Sequence, residues 1–347
     1  MPSAKTETSE LSVAFGILGL DPTYFYPQSE IKLRFNGSLS EEKYEAFRKE
    51  YKRDTELYER LLRVGRIMSD RHIPFKQADV VQWTGPFRQA STTSVAKDLL
   101  VANTPVSVKT ESNVVANLSP ANMMVNLPGG TAHSSREENW YLTTQPEEFQ
   151  ELYAFVRGMS PEVLDLPEDI RSFEEQASRK DRNRIQKILK ECSESEKKAF
   201  TKRYRELCHR VAEKSADLFN QNLTASLSTG SRKAVLENLA RWFFRLNAVQ
   251  YVLCGIDRKD EFALVVPDLT SWLREWYLAD VAATPDITRG QSVVDFDVVY
   301  RRKKDRSEHR APYHAEIRWS HGRFSGAVES KLYKEFAWSE LPFFTGL

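Results

Sequence analysis

Lys97-Asp98-Leu99-Leu100-Val101-Ala102-Asn103-Thr104-Pro105-Val106-Ser107-Val108-Lys109-Thr110-Glu111 is the stretch whose reading decides the fold. It predicts two short strands joined by a tight turn. Strand side chains alternate between faces, so Ser107, Lys109 and Glu111 share one face while Val106 and Val108 share the other. If the strands pair as a hairpin, Asp98 lies near the polar face. An acid, a lysine and a second acid converging beside a sheet edge suit a divalent metal and a water. That is the chemistry of phosphodiester hydrolysis.

The 347 residues are enough for two domains, or for one large core with insertions. A 41% hydrophobic and 29% charged content is that of a globular protein. The net charge of +1 provides no global field toward nucleic acid, so such a surface would have to come from local clustering. No apolar run approaches the roughly 20 residues of a membrane span, and residues 1–10 lack an apolar leader segment. Cys192, Cys208 and Cys254 are scattered and form no C-x-x-C pair, which argues against structural zinc and a disulfide framework. A reducing cytoplasm is the expected setting.

Outward from the hairpin, residues 1–39 read as a partly ordered arm. A helix is predicted over 41–71, with Tyr44, Phe47, Tyr51, Tyr58, Leu61, Leu62, Ile67 and Met68 mostly at helical spacing. Residues 79–84 read as a strand, and 85–93 as a loop rich in Gly, Pro, Ser and Thr. The span 113–130 is compatible with a short helix and then a loop. Trp140 to Thr143 reads as a strand, and 145–158 as a helix capped by Thr144. Residues 161–250 are almost wholly helical in character. From Gln250 the period changes: 251–254, 262–266, 292–300 and 313–319 read as strands, with a helix at 270–278 and a loop at 301–306. The expected organisation is an N-terminal arm, helix and core over 1–158, a helical segment over 159–249 and a strand-rich α+β region over 250–347.

The order helix, strand, strand, strand, with Asp98 opening the second strand and Ser107-x-Lys109 in the third, resembles the opening of the PD-(D/E)xK superfamily of restriction-endonuclease-like nucleases. The resemblance covers roughly residues 41–157. Lys97 stands where proline is usual and Ser107 where a carboxylate is expected, and serine is a poor Mg²⁺ ligand. Glu111, or Glu56 or Glu59 from the preceding helix, could supply the missing charge.

The resemblance implies an α/β or α+β fold with an αβββαβ core, a large helical segment and a strand-rich C-terminal region. It implies Mg²⁺-dependent cleavage of DNA, with Mn²⁺ as a substitute, in a restriction or defence setting. Asp98 and Glu111 would bind the metal, Lys109 would orient a water and offset phosphate charge, and Ser107 would bond a metal-bound water or the phosphate. Double-strand cleavage favours a homodimer.

Arg88, Gln89 and Ser91, just ahead of Asp98, suit phosphate and sugar contacts, as they suit an ordinary loop. Asn113 and Asn117 would share a helix face, from which Asn117 could reach the metal site or a phosphate, or else they serve caps and turns. The basic residues between Arg179 and Arg210 suit a solvated helix face, or a phosphate-contacting surface. In the C-terminal region Arg318 and Arg323 could read guanine or clamp phosphate beside His321, with Trp319 and Phe324 stacking on an unpaired base. The other reading is an amphipathic strand with a buried Trp and an Arg–Glu pair.

A rival acidic pattern, Asp286 with Asp295 and Asp297, has Val299 in the lysine position, and Glu316-Ile317-Arg318 has an arginine that does not give up its proton. His314 and His321 form at most a weak zinc pair. Phosphate-loop, dinucleotide and nucleophile-elbow motifs are absent. The alternative to a nuclease is a nucleic-acid-binding protein that keeps the fold without the catalytic site.

Overall fold

The computed structural model describes residues 3–76, 78–85, 97–129, 139–230 and 232–347. Its first elements are α1 (Ala4–Ile17), α2 (Gln28–Arg34), α3 (Glu41–Tyr51), α4 (Thr55–Arg71) and α5 (Ile73–Lys76), then β1 (Val81–Trp83), β2 (Leu99–Val101), β3 (Thr104–Thr110) and β4 (Val114–Leu118). The middle of the chain is helical: α6 (Leu127–Gly129), α7 (Trp140–Thr144), α8 (Pro146–Arg157), α9 (Ile170–Gln176), α10 (Arg179–Glu191), α11 (Glu194–Thr229) and α12 (Arg232–Phe243). The last part holds β5 (Tyr251–Asp257), β6 (Asp260–Val266), α13 (Leu269–Glu275), β7 (Trp276–Asp286), β8 (Ser292–Arg302), β9 (Glu308–Trp319), β10 (Val328–Lys334) and β11 (Thr345–Gly346). The fold is mixed α and β, with one mixed and one antiparallel sheet.

Two compact units divide the chain. One comprises Met1–Asn113, Phe244–Trp276 and Phe336–Leu347, and the other Val114–Phe243 and Tyr277–Glu335. They differ from the three consecutive segments that the sequence suggests. The reason is strand pairing: β3 lies parallel to β5, which sets Val106 beside Val252 and returns the chain to the first unit after a long excursion.

The first unit is a six-stranded sheet in the order β1-β2-β3-β5-β6-β11. The β2–β3 hairpin has Ala102 (φ 45°) and Asn103 (φ 65°) both left-handed, the geometry of a two-residue turn whose twist matches its strands. One face carries Val81, Trp83, Leu99, Val101, Val106, Val108, Val252, Cys254 and Ile256 into a core shared with α1 and α4. Residues 4–17, expected in an arm, form α1 instead. Ser3 caps it by accepting from the Thr6 N–H at 3.2 Å, and every residue from Thr8 to Ile17 is buried. Gly16 and Gly65 let α1 and α4 touch backbone to backbone, because a Cβ on Gly16 would stand 3.0 Å from the Gly65 Cα. The helix expected over 41–71 is two helices: Asp54 accepts from the Leu57 N–H at 3.4 Å and starts α4 afresh.

The second unit is an antiparallel sheet in the order β4-β10-β9-β8-β7, with the 36-residue α11 packed on β8, where Phe219 meets Phe296 at 5.0 Å. Capping boxes at Ser178/Asp181 and Ser193/Glu196 separate α10 from α11. Trp140 to Thr143, expected as a strand, lies in the helix α7, and the Trp140 indole donates to Ser215 at 2.9 Å inside the unit. Pro146 at the first turn starts α8, while the Thr144 hydroxyl donates back to the Trp140 carbonyl and caps nothing. The helix expected near Asn113 is the strand β4, paired with β10.

Candidate functional site

Asp98 stands one residue before β2, and its N–H still donates to the Val106 carbonyl of β3 at 2.9 Å. Its side chain adds to that pairing: Oδ2 accepts the Val108 N–H at 2.7 Å and the Ser107 hydroxyl at 3.3 Å. Asp98 is 2% exposed and Ser107 is fully buried. Two donors on one carboxylate oxygen offset part of the cost of its burial. Asp98, Ser107 and the half-buried Lys109 are thus brought to one end of the hairpin, as the alternation requires. Burial pushes the Cys254 thiol, which sits beside Val108 on β5, well above its ordinary value, and the Asp98 charge adds to that.

Glu111 does not join them. β3 ends at Thr110, and Glu111 is left-handed (φ 52°), exposed, and tied by its N–H to the Ile256 carbonyl at 2.8 Å. Four residues of strand separate it from Ser107, about 13 Å at ~3.3 Å per residue, too far for side chains perpendicular to the sheet to share one ion with Asp98. Nor do the α4 carboxylates serve: Glu59 accepts the Tyr51 hydroxyl at 2.5 Å, and Glu56 is exposed in the first turn. Arg88, Gln89 and Ser91 lie outside the described residues.

The carboxylate that the sequence reading missed is Glu10. It is 1% exposed on α1, and its Oε2 accepts the Trp83 indole N–H at 2.8 Å. The same oxygen would lie 2.7 Å from a Cβ on Gly85. Gly85 follows Thr84, whose N–H donates to the Asp98 carbonyl at 3.0 Å. Glu10 and Asp98 therefore border the same end of β1 and β2. An acid standing directly before the run Leu11-Ser12-Val13-Ala14-Phe15 was the available signal.

Among the described residues, no group of three or more His, Cys, Asp or Glu side chains is placed to hold a metal ion. Mg²⁺ is commonly held by one or two carboxylates together with water and substrate phosphate. The oxygens of Asp98 and Glu10 are of the hard type that such a mode uses, and the Ser107 hydroxyl donates to Asp98.

In the second unit, Trp319 and Phe324 are not available for stacking on a base: they are 5% and 0% exposed and pack on Tyr141 and Phe149. Arg318 has Glu316 at 3.4 Å and Glu329 at 4.0 Å. Asn117 donates to Glu329 at 3.3 Å, and Asn113 lies exposed ahead of β4. His321 is exposed, and its carbonyl accepts from Gln186 at 2.9 Å. Arg323 rides over the rings of Tyr204 at 4.6 Å and Phe200 at 4.9 Å. Of the rival acids, Asp297 is paired with Arg310, and Asp286 with Arg289 at 2.9 Å. Asp295 faces His314 across the β8–β9 pair, and burial, then the Asp286 charge, hold its carboxyl above the usual range. His314 is itself paired with Glu335. No family model matches this chain, nor does any curated protein or solved structure.

Proposed function

We propose that this protein is a Mg²⁺-dependent endodeoxyribonuclease of the restriction-endonuclease-like kind, acting in a cytoplasmic defence setting and as a homodimer when both DNA strands are cut. The observation that carries the reading is a buried carboxylate, Asp98, opening the second strand of a meander and lying opposite Ser107-x-Lys109. The chain order supports it too, with helices, then β1, β2 and β3, then β5 parallel to β3. The first stretch of the second unit, Val114–Phe243, stands in the chain where the αβββαβ order expects a single helix between β3 and the next strand.

Asp98 and Glu10 would hold the ion. When bound, Mg²⁺ (or Mn²⁺) lowers the pKa of a coordinated water and neutralises phosphate charge. The chain's own groups do the rest. Ser107 and the Val108 N–H hold the Asp98 carboxylate in orientation. The Lys109 ammonium orients the attacking water and offsets the charge that develops on the phosphate oxygens.

Digestion of mixed plasmid and phage DNA with Mg²⁺ or with EDTA tests this. Discrete fragments are expected from the wild type with metal only, and Lys109→Ala should lower the rate by about 10²–10³-fold. Cleavage that survives Lys109→Ala would sink the assignment. A second reading, a nucleic-acid-binding protein without catalysis, is favoured by the engagement of Asp98 Oδ2 with the strand backbone. Salt-sensitive DNA binding with no cleavage under any metal would select it.

A further inference from the structure

We infer that the second unit carries its own phosphate-backbone site, a hollow between α11 and the turn after β9 that seats one nucleotide unit of a DNA strand. The proposal rests on the nucleic-acid reading for the class of ligand, but not on the chemistry at Asp98 and Lys109.

The hollow measures about 400 Å³ and is lined by Tyr204, Gln291, Arg318, Trp319, Ser320 and Arg323. Two of its walls hold polar atoms that the fold leaves unanswered. Trp319 is 5% exposed, and its buried indole N–H has no acceptor; the buried amide oxygen of Gln291 has no donor. A native interior rarely tolerates such groups, since each costs about 1–3 kcal/mol when unpaired. The lining thus holds one unanswered donor and one unanswered acceptor, which a ligand offering both would answer.

The charge of that ligand follows from Arg323. Its guanidinium is exposed and has no carboxylate partner among the described residues, yet the rings of Tyr204 and Phe200 hold it in place. A fixed, unneutralised fork is suited to phosphate oxygens. The surface continues along α11, where a shallow hollow of about 490 Å³ is lined by Lys198, Lys202 and Arg205. These three recur at helical spacing, are exposed, and form no ion pair among the described residues, although Glu194 and Glu206 also line that hollow. Gly290 borders the first hollow and Arg205 the second, and a Cβ on Gly290 would lie 3.8 Å from Arg205 Nε, so the two adjoin. One deep seat beside a row of unpaired cations is the layout for a polymer of phosphates rather than for a lone anion. Arg323 and the Trp319 N–H would take phosphate oxygens, and the Gln291 oxygen a base amine.

The test is fluorescence anisotropy of a short labelled DNA duplex on the full chain, in EDTA so that no cleavage intervenes, across a salt series. Arg323→Ala and Lys202→Glu are each expected to weaken binding about tenfold, to lower the salt slope by about one, and to act alike on unrelated sequences. Arg323→Lys should recover part of the loss, and Lys32→Ala, an exposed lysine on α2 of the first unit, should bind as the wild type does. Unchanged affinity and slope in both charge variants, with unchanged melting temperature, would overturn the proposal. So would inorganic phosphate that shifts the melting temperature through Arg323 while duplex binding ignores that residue. Absence of cleavage by the wild type would count against the nuclease reading and leave this binding result intact.

Discussion

The end of the β2–β3 hairpin and the hollow beside α11 are both built from buried polar groups, but they are finished differently. At the hairpin, the groups answer one another: Asp98 serves Ser107 and Val108, and Glu10 serves Trp83. At the hollow, Trp319 and Gln291 remain without partners, and Arg323 is held by rings rather than by a carboxylate. A satisfied cluster is stable before a ligand arrives, and the ligand must compete with or add to existing bonds. An unsatisfied one costs stability that a ligand can return. Substitutions should therefore hurt folding at the first and binding at the second.

The largest effect on folding is expected beneath the hairpin, where α1 delivers Glu10. A Cβ on Gly65 would overlap the Val13 carbonyl oxygen, and one on Gly16 the Leu62 carbonyl oxygen. Both obstacles are helix backbone and cannot rotate away. Gly65→Ala should cost about 3 kcal/mol or more and move Glu10 off Trp83. Denaturant unfolding reads the first, and loss of metal-dependent cleavage the second. A variant as stable as the wild type would mean that α1 is not locked to α4, and Glu10 would then be no fixed part of the site.

That helix also shows where the sequence was readable and where it was not. The hairpin was legible because turn chemistry and period-two alternation agree over Leu99 to Thr110. The strands β5, β6, β8 and β9 were legible for the same reason. α1 was not: it is buried over ten consecutive residues, so it has no polar face to set the helical period apart. β10 was missed because two of its three buried positions, Ser330 and Lys334, are polar by type. The Arg318–Glu329 pair depends on β10, whereas Trp319 and Phe324 are buried by Tyr141 of α7 and Phe149 of α8, contacts distant in sequence on which the base-stacking role read for them failed. Asp98 and Lys109 needed only local pattern. Glu10 needed the packing of a helix 88 residues upstream of Asp98.

A smaller effect separates Asp98 as strand cap from Asp98 as ligand. Asp98→Ala strands the Val108 N–H in a buried place and should cost about 1–3 kcal/mol. Ser107→Asp restores the acid that the nuclease pattern expects, but places two carboxylates together at a buried strand end. Without metal it should destabilise by a similar amount through like-charge repulsion, with one carboxyl titrating upward. Mg²⁺ should then raise its melting temperature more than that of the wild type, as any ligand binding only the folded state does. A variant insensitive to Mg²⁺ would show that this strand end offers no metal position.

The smallest effect is a difference between two like substitutions. Trp83→Phe and Trp319→Phe each remove similar volume from an aromatic-rich interior, so their cavity costs should be comparable. Only Trp83 takes a hydrogen bond with it, leaving the buried Glu10 carboxylate short of a donor. Trp319→Phe removes an N–H that had no acceptor, which should offset part of its cavity cost. Trp83→Phe is thus expected to be the more destabilising by about 1–3 kcal/mol, while Trp319→Phe alone should weaken DNA binding in EDTA. Equal losses of stability, with DNA binding unchanged, would mean that the Trp319 indole is answered by water in the free protein. The hollow would then be an ordinary wet crevice, and the contrast between the two regions would disappear.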